Sequence, residues 1–468
     1  MGAEATFLKD VSELCADTFK QTLELTGLRR LTGGANMETW AFSYGDKPLI
    51  LRRRAALPDS SDEREPMALV QEAAIIERAG QAGVIVPKVF ASTGPDHALG
   101  ETILMERMGG EALPQKLFRD PAYRSGLAQF VNDSAVNLAR IHAVPTDTLF
   151  AKTDAISPAE AVERRWELYQ QYGGDSPIQA YAFKWLRDNL PEDTEPTLCH
   201  GDFRMGNILV DETGISGVLD WELAHLGDPI SDLGYLCAPC WRFGNYDQPV
   251  GGVGQIEDLI TRYERESGRL VDPNRFRFWM IFASLNWSVI CMTMVDLWRT
   301  GTVRELERAV IGTRVSESEI DLLLMLEEMA APQRVAERIE FAAQSDSAPA
   351  GDTKPEDLSK ALAEWVTEDL LPSLEGREQF KARVARNALG ILERQATLGP
   401  KFRQSQQDRL AELNFDNAAL SNALLSGSVD LNTPGILTHL RRLALEKVSI
   451  DQPKYAGLKI ALGKWSPS

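Results

Sequence analysis

The sequence predicts an α+β protein with a small strand-rich N-terminal part, a larger helical middle part and a separate all-α tail. Three observations predict it. Strand-length apolar runs occupy Trp40 to Tyr44, Pro48 to Arg52 and Glu101 to Glu106. Helical stretches dominate from Ser125 to about Ala343, interrupted by one hairpin pattern. Beyond a polar, Pro- and Gly-bearing stretch at Gln344 to Asp352, little suggests strands. A chain of 468 residues exceeds one ordinary core. The expected divisions are 1–107, 108–343, a linker at 344–353, and 354–468.

The elements can be justified in order. Leu28 to Thr39 starts apolar and passes into Thr32-Gly33-Gly34-Ala35-Asn36, a turn whose paired glycines let backbone N–H groups approach phosphate oxygens closely. The strands flanking the next turn end in Arg52-Arg53-Arg54, and alternation sends Arg53 to the opposite face from its two neighbours. From Glu65 the pattern turns helical, with Pro66 near the start, Gly80 just past the end, and Glu72 beside a stripe of Leu69, Ala73 and Ile76. The strand Glu101 to Glu106 leads through Arg107-Met108-Gly109-Gly110 into the larger part. Helices follow at Ser125 to His142 and Ala159 to Gln171. Phe278 to Val295 carries no charge and approaches membrane-spanning length, but Ser284, Asn286, Ser288 and Thr293 interrupt it, so a buried core helix is expected. In the tail, Leu358, Leu362 and Trp365, then Phe380, Val384, Ala388 and Ile391, recur at helical intervals, which predicts four or five helices.

One segment carries the chemistry. Leu198-Cys199-His200-Gly201-Asp202-Phe203-Arg204-Met205-Gly206-Asn207 is followed by Val218-Leu219-Asp220-Trp221-Glu222. Between them, Ile208 to Val210 and Ile215 to Leu219 flank the turn composition Asp211-Glu212-Thr213-Gly214, which predicts a β-hairpin. A hairpin places the residue entering its first strand beside the residue leaving its second. Asn207 and Asp220 should therefore meet at the open end, with Asp202 one loop away, as oxygen ligands suited to Mg²⁺ and its phosphates. Type, order and spacing match the phosphoryl-transfer template of a base Asp, a metal Asn and a metal Asp.

On these residues the chain resembles the aminoglycoside phosphotransferase-like family over about residues 25 to 340, with His-Gly-Asp in place of the His-Arg-Asp of protein kinases. The resemblance implies a bilobal protein-kinase-like fold, with a small β-rich N-lobe and a large helical C-lobe, and ATP and Mg²⁺ as cofactors. It implies that Asp202 aims an acceptor hydroxyl and takes its proton, and that Asn207 and Asp220 hold Mg²⁺. Gly33, Gly34 and Asn36 would cover the phosphates, and Arg52 would stand where the fold usually carries a phosphate-binding Lys, paired with Glu72. Glu106 and Met108 would border the adenine, and Asp232 would brace the catalytic loop. His200 would steady the backbone, while Arg204 would either meet a phosphate or pack against Glu222.

Gly33-Gly34-Ala35-Asn36 followed by Leu51-Arg52-Arg53-Arg54 looks most like the branch that phosphorylates hydroxyacyl-CoA thioesters. That branch includes kinase domains fused to acyl-CoA dehydrogenases. The tail resembles a small helical family of unknown chemistry that accompanies such kinases, so the first expected acceptor is a 4-hydroxyacyl-CoA. An aminoglycoside, a choline-like amino alcohol or a sugar as acceptor, or a nucleotide-binding regulatory pseudokinase, stays open, as does a homodimer or pathway-enzyme contact through the tail.

The net charge of −18, from 50 basic and 68 acidic residues, argues against general nucleic-acid binding. It would suit a cationic aminoglycoside, whereas a polyanionic CoA ester would need a local basic patch. Five cysteines and an N-terminus without a basic, apolar leader point to reduced thiols in the cytoplasm. Cys237-Ala238-Pro239-Cys240 has redox or zinc spacing but no second pair, and is expected to form part of a buried wall.

Overall fold

In a computed structural model, residues 2–31, 37–54, 67–150, 155–343 and 353–467 are described. A helix that the sequence reading did not anticipate, α1 (Gly2–Phe19), precedes the sheet. Its Val11, Leu14 and Cys15 are buried with Phe42, Leu49, Leu51 and Leu104, which gives the sheet a cover on one face. The strands β1 (Leu25–Arg30), β2 (Met37–Tyr44) and β3 (Lys47–Arg54) form an antiparallel meander. The helix α2 (Leu69–Gln81) precedes β4 (Val89–Thr93) and β5 (Thr102–Glu106), and the sheet order is β1-β2-β3-β5-β4.

Against the sequence reading, α2 starts after Ala68 and runs through Gly80. Gly80 keeps helical geometry, and it is Gly83, at φ +86°, that turns the chain away. Glu65 and Pro66 lie outside the described residues, as does the stretch 344–352 read as a linker.

The larger part begins with α3 (Pro114–Arg119), α4 (Arg124–Ile141), α5 (Pro158–Gln171) and α6 (Pro177–Asp188). Four short strands follow: β6 (Thr197–Cys199), β7 (Ile208–Val210), β8 (Ile215–Val218) and β9 (His225–Gly227). Strands β7 and β8 form the expected hairpin, Ile208 facing Val218, while β6 pairs with β9 beneath it. Asp211 closes the turn by accepting hydrogen bonds from the Thr213 and Gly214 amides. Then come α7 (Ile230–Leu236), α8 (Ile256–Ser267), α9 (Pro273–Arg299), α10 (Leu306–Ile311), α11 (Val315–Leu326) and α12 (Pro332–Val335). Helix α9 contains the uncharged run. Its apolar stretch is long enough to cross a membrane, but 56% of it is buried inside the protein, where it packs against α7 and α11.

The tail comprises α13 (Pro355–Trp365), α14 (Gly376–Thr397), α15 (Gly399–Glu412), α16 (Asn417–Ser426), α17 (Ile436–Asp451) and α18 (Ala456–Trp465). The apolar residues whose spacing marked α13 face outward: Leu358, Leu362 and Trp365 are each half exposed or more. Most of the buried part of the tail comes from α16 to α18, with Leu410 of α15 beside them, and it is continuous with the larger lobe. Leu420, Leu440 and Trp465 belong to the same core cluster as Ile208, Trp221 and Leu322.

A fully buried ion pair seals this junction. Arg441 on α17 donates from Nε to Glu327 at 2.8 Å and also reaches the Glu337 and Val335 carbonyls, while Glu327 accepts from Trp465 Nε1 at 2.9 Å and pairs with Lys464. Neither Arg441 nor Glu327 is exposed. Removing Arg441 leaves Glu327, in a low-dielectric interior, with only the partly exposed Lys464 as counter-charge, at a cost of up to about 3–5 kcal/mol. Arg441→Ala should therefore lower the unfolding free energy of the full chain by that amount in denaturant titration. A loss under about 1 kcal/mol, the range of an exposed pair, would show that the tail is not held this way.

Candidate active site

The hairpin does what its spacing demands. Asn207 enters β7 and Leu219 leaves β8, and the Leu219 amide donates to the Asn207 carbonyl at 2.8 Å. Asp220, the next residue, adopts φ +68°, a left-handed backbone that an Asp tolerates better than a branched residue and that re-aims its side chain into the cleft. Asn207 Nδ2 donates to Asp202 Oδ2 at 2.5 Å and to the Asp202 carbonyl at 3.1 Å, which leaves its Oδ1 as the atom that could coordinate a cation. The other carboxylate oxygen of Asp202 accepts from Arg204 Nε at 2.9 Å. Both oxygens of Asp202 thus have fixed directions.

The loop carrying Asp202 is braced from below. Asp232, near the start of α7, accepts the His200 amide at 2.7 Å and the Gly201 amide at 2.9 Å. Burial alone would raise its carboxyl, but hydrogen bonds from His142 and the His200 amide outweigh this and hold it below the usual carboxylate range. His142 is itself fixed by Tyr263 at 2.7 Å. The His200 ring spans the loop, its Nε2 3.0 Å from the Leu219 carbonyl and its Nδ1 accepting from the Asp202 amide at 3.2 Å. Gly201 sits at φ +80°, where a Cβ would lie 2.4 Å from the Leu223 carbonyl oxygen, so no larger residue fits.

Across the cleft, Arg52 on β3 meets Glu72 on α2 at 2.6 Å. Its other terminal nitrogen donates to Asp220 at 3.0 Å and lies 3.5 Å from Glu222. Burial opposes the charge on Arg52, yet Glu72, Asp220 and Glu222 together hold it more firmly protonated. Arg53, on the opposite face, instead pairs with Glu38, and Arg54, one pleat further along the same face as Arg52, pairs with Glu101. The expectation that Arg204 might pack against Glu222 is not met. Arg204 pairs with Asp202 and stacks on Trp241, its guanidinium carbon 4.4 Å from the ring centroid, because the hairpin turns Glu222 toward Arg52.

Glu106 ends β5 with its amide on the Lys88 carbonyl, and Met108 lies against Gly217 in the crossing between the lobes. Gly33, Gly34 and Asn36 lie outside the described residues. Sequence reasoning missed Tyr235 and Trp241. Tyr235 faces Asp202, and burial together with that carboxylate pushes its phenol up. Both come from the segment after α7 begins, and nothing local marks them. Cys237 and Cys240 are buried and unpaired; burial pushes the Cys237 thiol up to about 12, which suits packing rather than redox chemistry.

The sheet, the crossing strand, the braced loop and the hairpin define a bilobal kinase-fold phosphotransferase. The chain belongs to the phosphotransferase enzyme family, whose model matches residues 27–272, and a domain of unknown function, DUF6285, matches residues 372–455. It is 28% identical over 258 residues to acyl-CoA dehydrogenase family member 11 of Pongo abelii, covering 50% of this chain and 32% of that protein. A 4-hydroxytryptamine kinase of Psilocybe cyanescens is 23% identical over 272 residues, covering 51% of this chain and 74% of that protein. The chain spans about a third or less of the length of the acyl-CoA dehydrogenase relatives it matches first. Among solved structures, a candidate aminoglycoside phosphotransferase from Ralstonia eutropha superposes with a TM-score of 0.56 at 20% identity, covering 69% of this chain and 98% of that one, which shows the shared fold.

Glu222 makes the site sensitive to pH. Partial burial, then Asp220, pushes its carboxyl up to about 7 from an ordinary 4.5, against the pull of Arg52. Between those pH values the native state binds more protons than the unfolded state, so stability falls as pH rises through the window. Glu222→Gln removes this term. Its melting temperature should gain on that of the wild type between pH 5 and pH 8, and parallel curves would refute the assignment.

Proposed function

We propose that the protein transfers the γ-phosphoryl group of ATP to a hydroxyl of a small acyl-CoA thioester, a 4-hydroxyacyl-CoA being the acceptor to test first. The observation that carries the transfer is the convergence of Asp202, Asn207 and Asp220 with Arg52 in one cleft. The donors fit magnesium by chemistry: Asn207 Oδ1 and the Asp220 carboxylate are hard oxygens at the mouth of one hairpin. Bound there, Mg²⁺ would neutralise charge on the transferring phosphoryl group.

The chain's own residues do the rest. Asp202, clamped by Asn207 and Arg204, receives the hydroxyl proton as the new oxygen–phosphorus bond forms and the bond to the β-phosphate bridging oxygen breaks, releasing ADP. Because the transition state is loose, fixed placement of this carboxylate matters more than strong basicity. Arg52 presents a planar fork to the α- and β-phosphates, exchanging Asp220 for phosphate oxygens. The Glu106 to Met108 crossing offers backbone groups to the adenine edge.

The names of the matched relatives, acyl-CoA dehydrogenases, support the thioester acceptor. The Psilocybe relative, named as a kinase of 4-hydroxytryptamine, favours a second reading in which the acceptor is a small hydroxylated amine. Labelled ATP offered with 4-hydroxyacyl-CoAs, hydroxylated amines and aminoglycosides separates these, and transfer to none would favour a regulator. Asp202→Asn should reduce turnover by about 10² to 10⁴ while nucleotide still binds. Near-normal turnover would remove Asp202 from the chemistry.

A further inference from the structure

A cleft of about 450 Å³ opens between the larger lobe and the tail, on the Arg204 side of Asp202. Arg204 holds Asp202 and stacks on Trp241, and Pro239 and Cys240, in the same turn as Trp241, line the cleft.

The lining is cationic in a protein of charge −18: Arg119, Arg242, Arg314 and Lys454 all contribute, and no carboxylate lines it among the described residues. Glu317 neutralises Arg314 at 2.9 Å. The other three form no ion pair among the described residues. Arg242 is buried and hydrogen-bonds only the Cys237 and Tyr246 carbonyls, which accept its N–H groups without cancelling its charge. Arg119, at the end of α3, and Lys454, in the loop before α18, are exposed. Buried Asp321 lies close enough to Arg242 to attract it, so Arg119 and Lys454 carry the uncompensated charge, and a net positive lining against an opposing global field is the local arrangement a polyanion requires.

The tail is built into this cleft. Buried Asp321 on α11 accepts a hydrogen bond from Tyr246 at 3.0 Å and another from Tyr455, one tyrosine from each side of the junction. Both tyrosines line the cleft, so the same carboxylate that fastens the 452–456 loop also sets Lys454 at its rim. Phe243 adds an aromatic surface beside them.

We infer that this cleft binds the phosphate-bearing end of the acceptor, the diphosphate and 3′-phosphate of a coenzyme A thioester, and that the tail supplies part of the binding site through Lys454 and Tyr455. This deepens the acyl-CoA reading above and rests on it. The acceptor enters with its phosphates on Arg119, Arg242 and Lys454, and its acyl arm turns past Trp241 toward Asp202.

The test is calorimetric binding of coenzyme A to the full chain, with ADP present to occupy the nucleotide cleft. Lys454→Glu and Arg119→Glu, both surface changes, should each weaken coenzyme A binding roughly tenfold or more, the loss expected for one charge-assisted phosphate contact. Pantetheine, which lacks phosphates, should bind the wild type and both variants alike, and melting temperatures and ADP affinity should not move. Unchanged coenzyme A affinity in both variants, or no binding to the wild type, would overturn the inference. The two readings fail separately. Phosphoryl transfer that is indifferent to Lys454 and Arg119 leaves the kinase and removes the cleft, whereas Lys454-dependent coenzyme A binding without transfer to any hydroxyacyl-CoA keeps the cleft and removes the acceptor.

Discussion

The guanidinium of Arg52 is the point at which the small lobe, its helix and the catalytic hairpin meet. It lies largely buried on a central strand and touches a carboxylate from each of the other two elements. A lysine there would offer one compact charge, whereas the planar fork directs separate N–H groups at Glu72 and Asp220. Glu72 is almost wholly inaccessible and its carboxyl is raised by burial against Arg52's pull, so the helix depends on this cation for its charge balance. Nucleotide phosphates competing for the same fork would free an Asp220 oxygen as they arrive. On the proposed reading, opening of the metal side and loading of the phosphate side would thereby be linked through one side chain.

Below the cleft, rigidity comes from hydrogen bonds rather than bulk. Asp232 fixes two successive amides of the catalytic loop, His200 ties that loop to the strand end before Asp220, and His142 with Tyr263 fixes Asp232. Each polar group in this buried set has a partner, which is the condition for a polar network to stiffen a site instead of weakening it. The positive φ values of Gly201 and Asp220 are the backbone expression of the same constraint.

The sequence made the hairpin and its open end legible because they depend on short-range spacing, whereas the Arg52–Glu72 pair was legible only through the family resemblance. The turn composition at Asp211 to Gly214 set the register, and the register set which residues met. Other features depend on distant packing. Nothing local distinguishes Tyr235 or Trp241 from ordinary core aromatics, and α1 carries no motif at all. The outward face of α13 shows the limit of periodicity: Leu358, Leu362 and Trp365 are spaced as a buried stripe, yet their helix lies at the rim of the tail, away from α16 to α18. Gly80 shows the limit of residue signals, since helical hydrogen bonding carried past it to the next glycines.

The junction sealed by Arg441 and Glu327 bears on how this chain could be divided in evolution. Cutting it near residue 350 would strip an apolar surface from both products and leave each with a charge that only the other can compensate. Two separately made halves would each have to find the other before that surface and that charge were covered. Fusion removes that burden, because every tail is made beside the lobe that completes it.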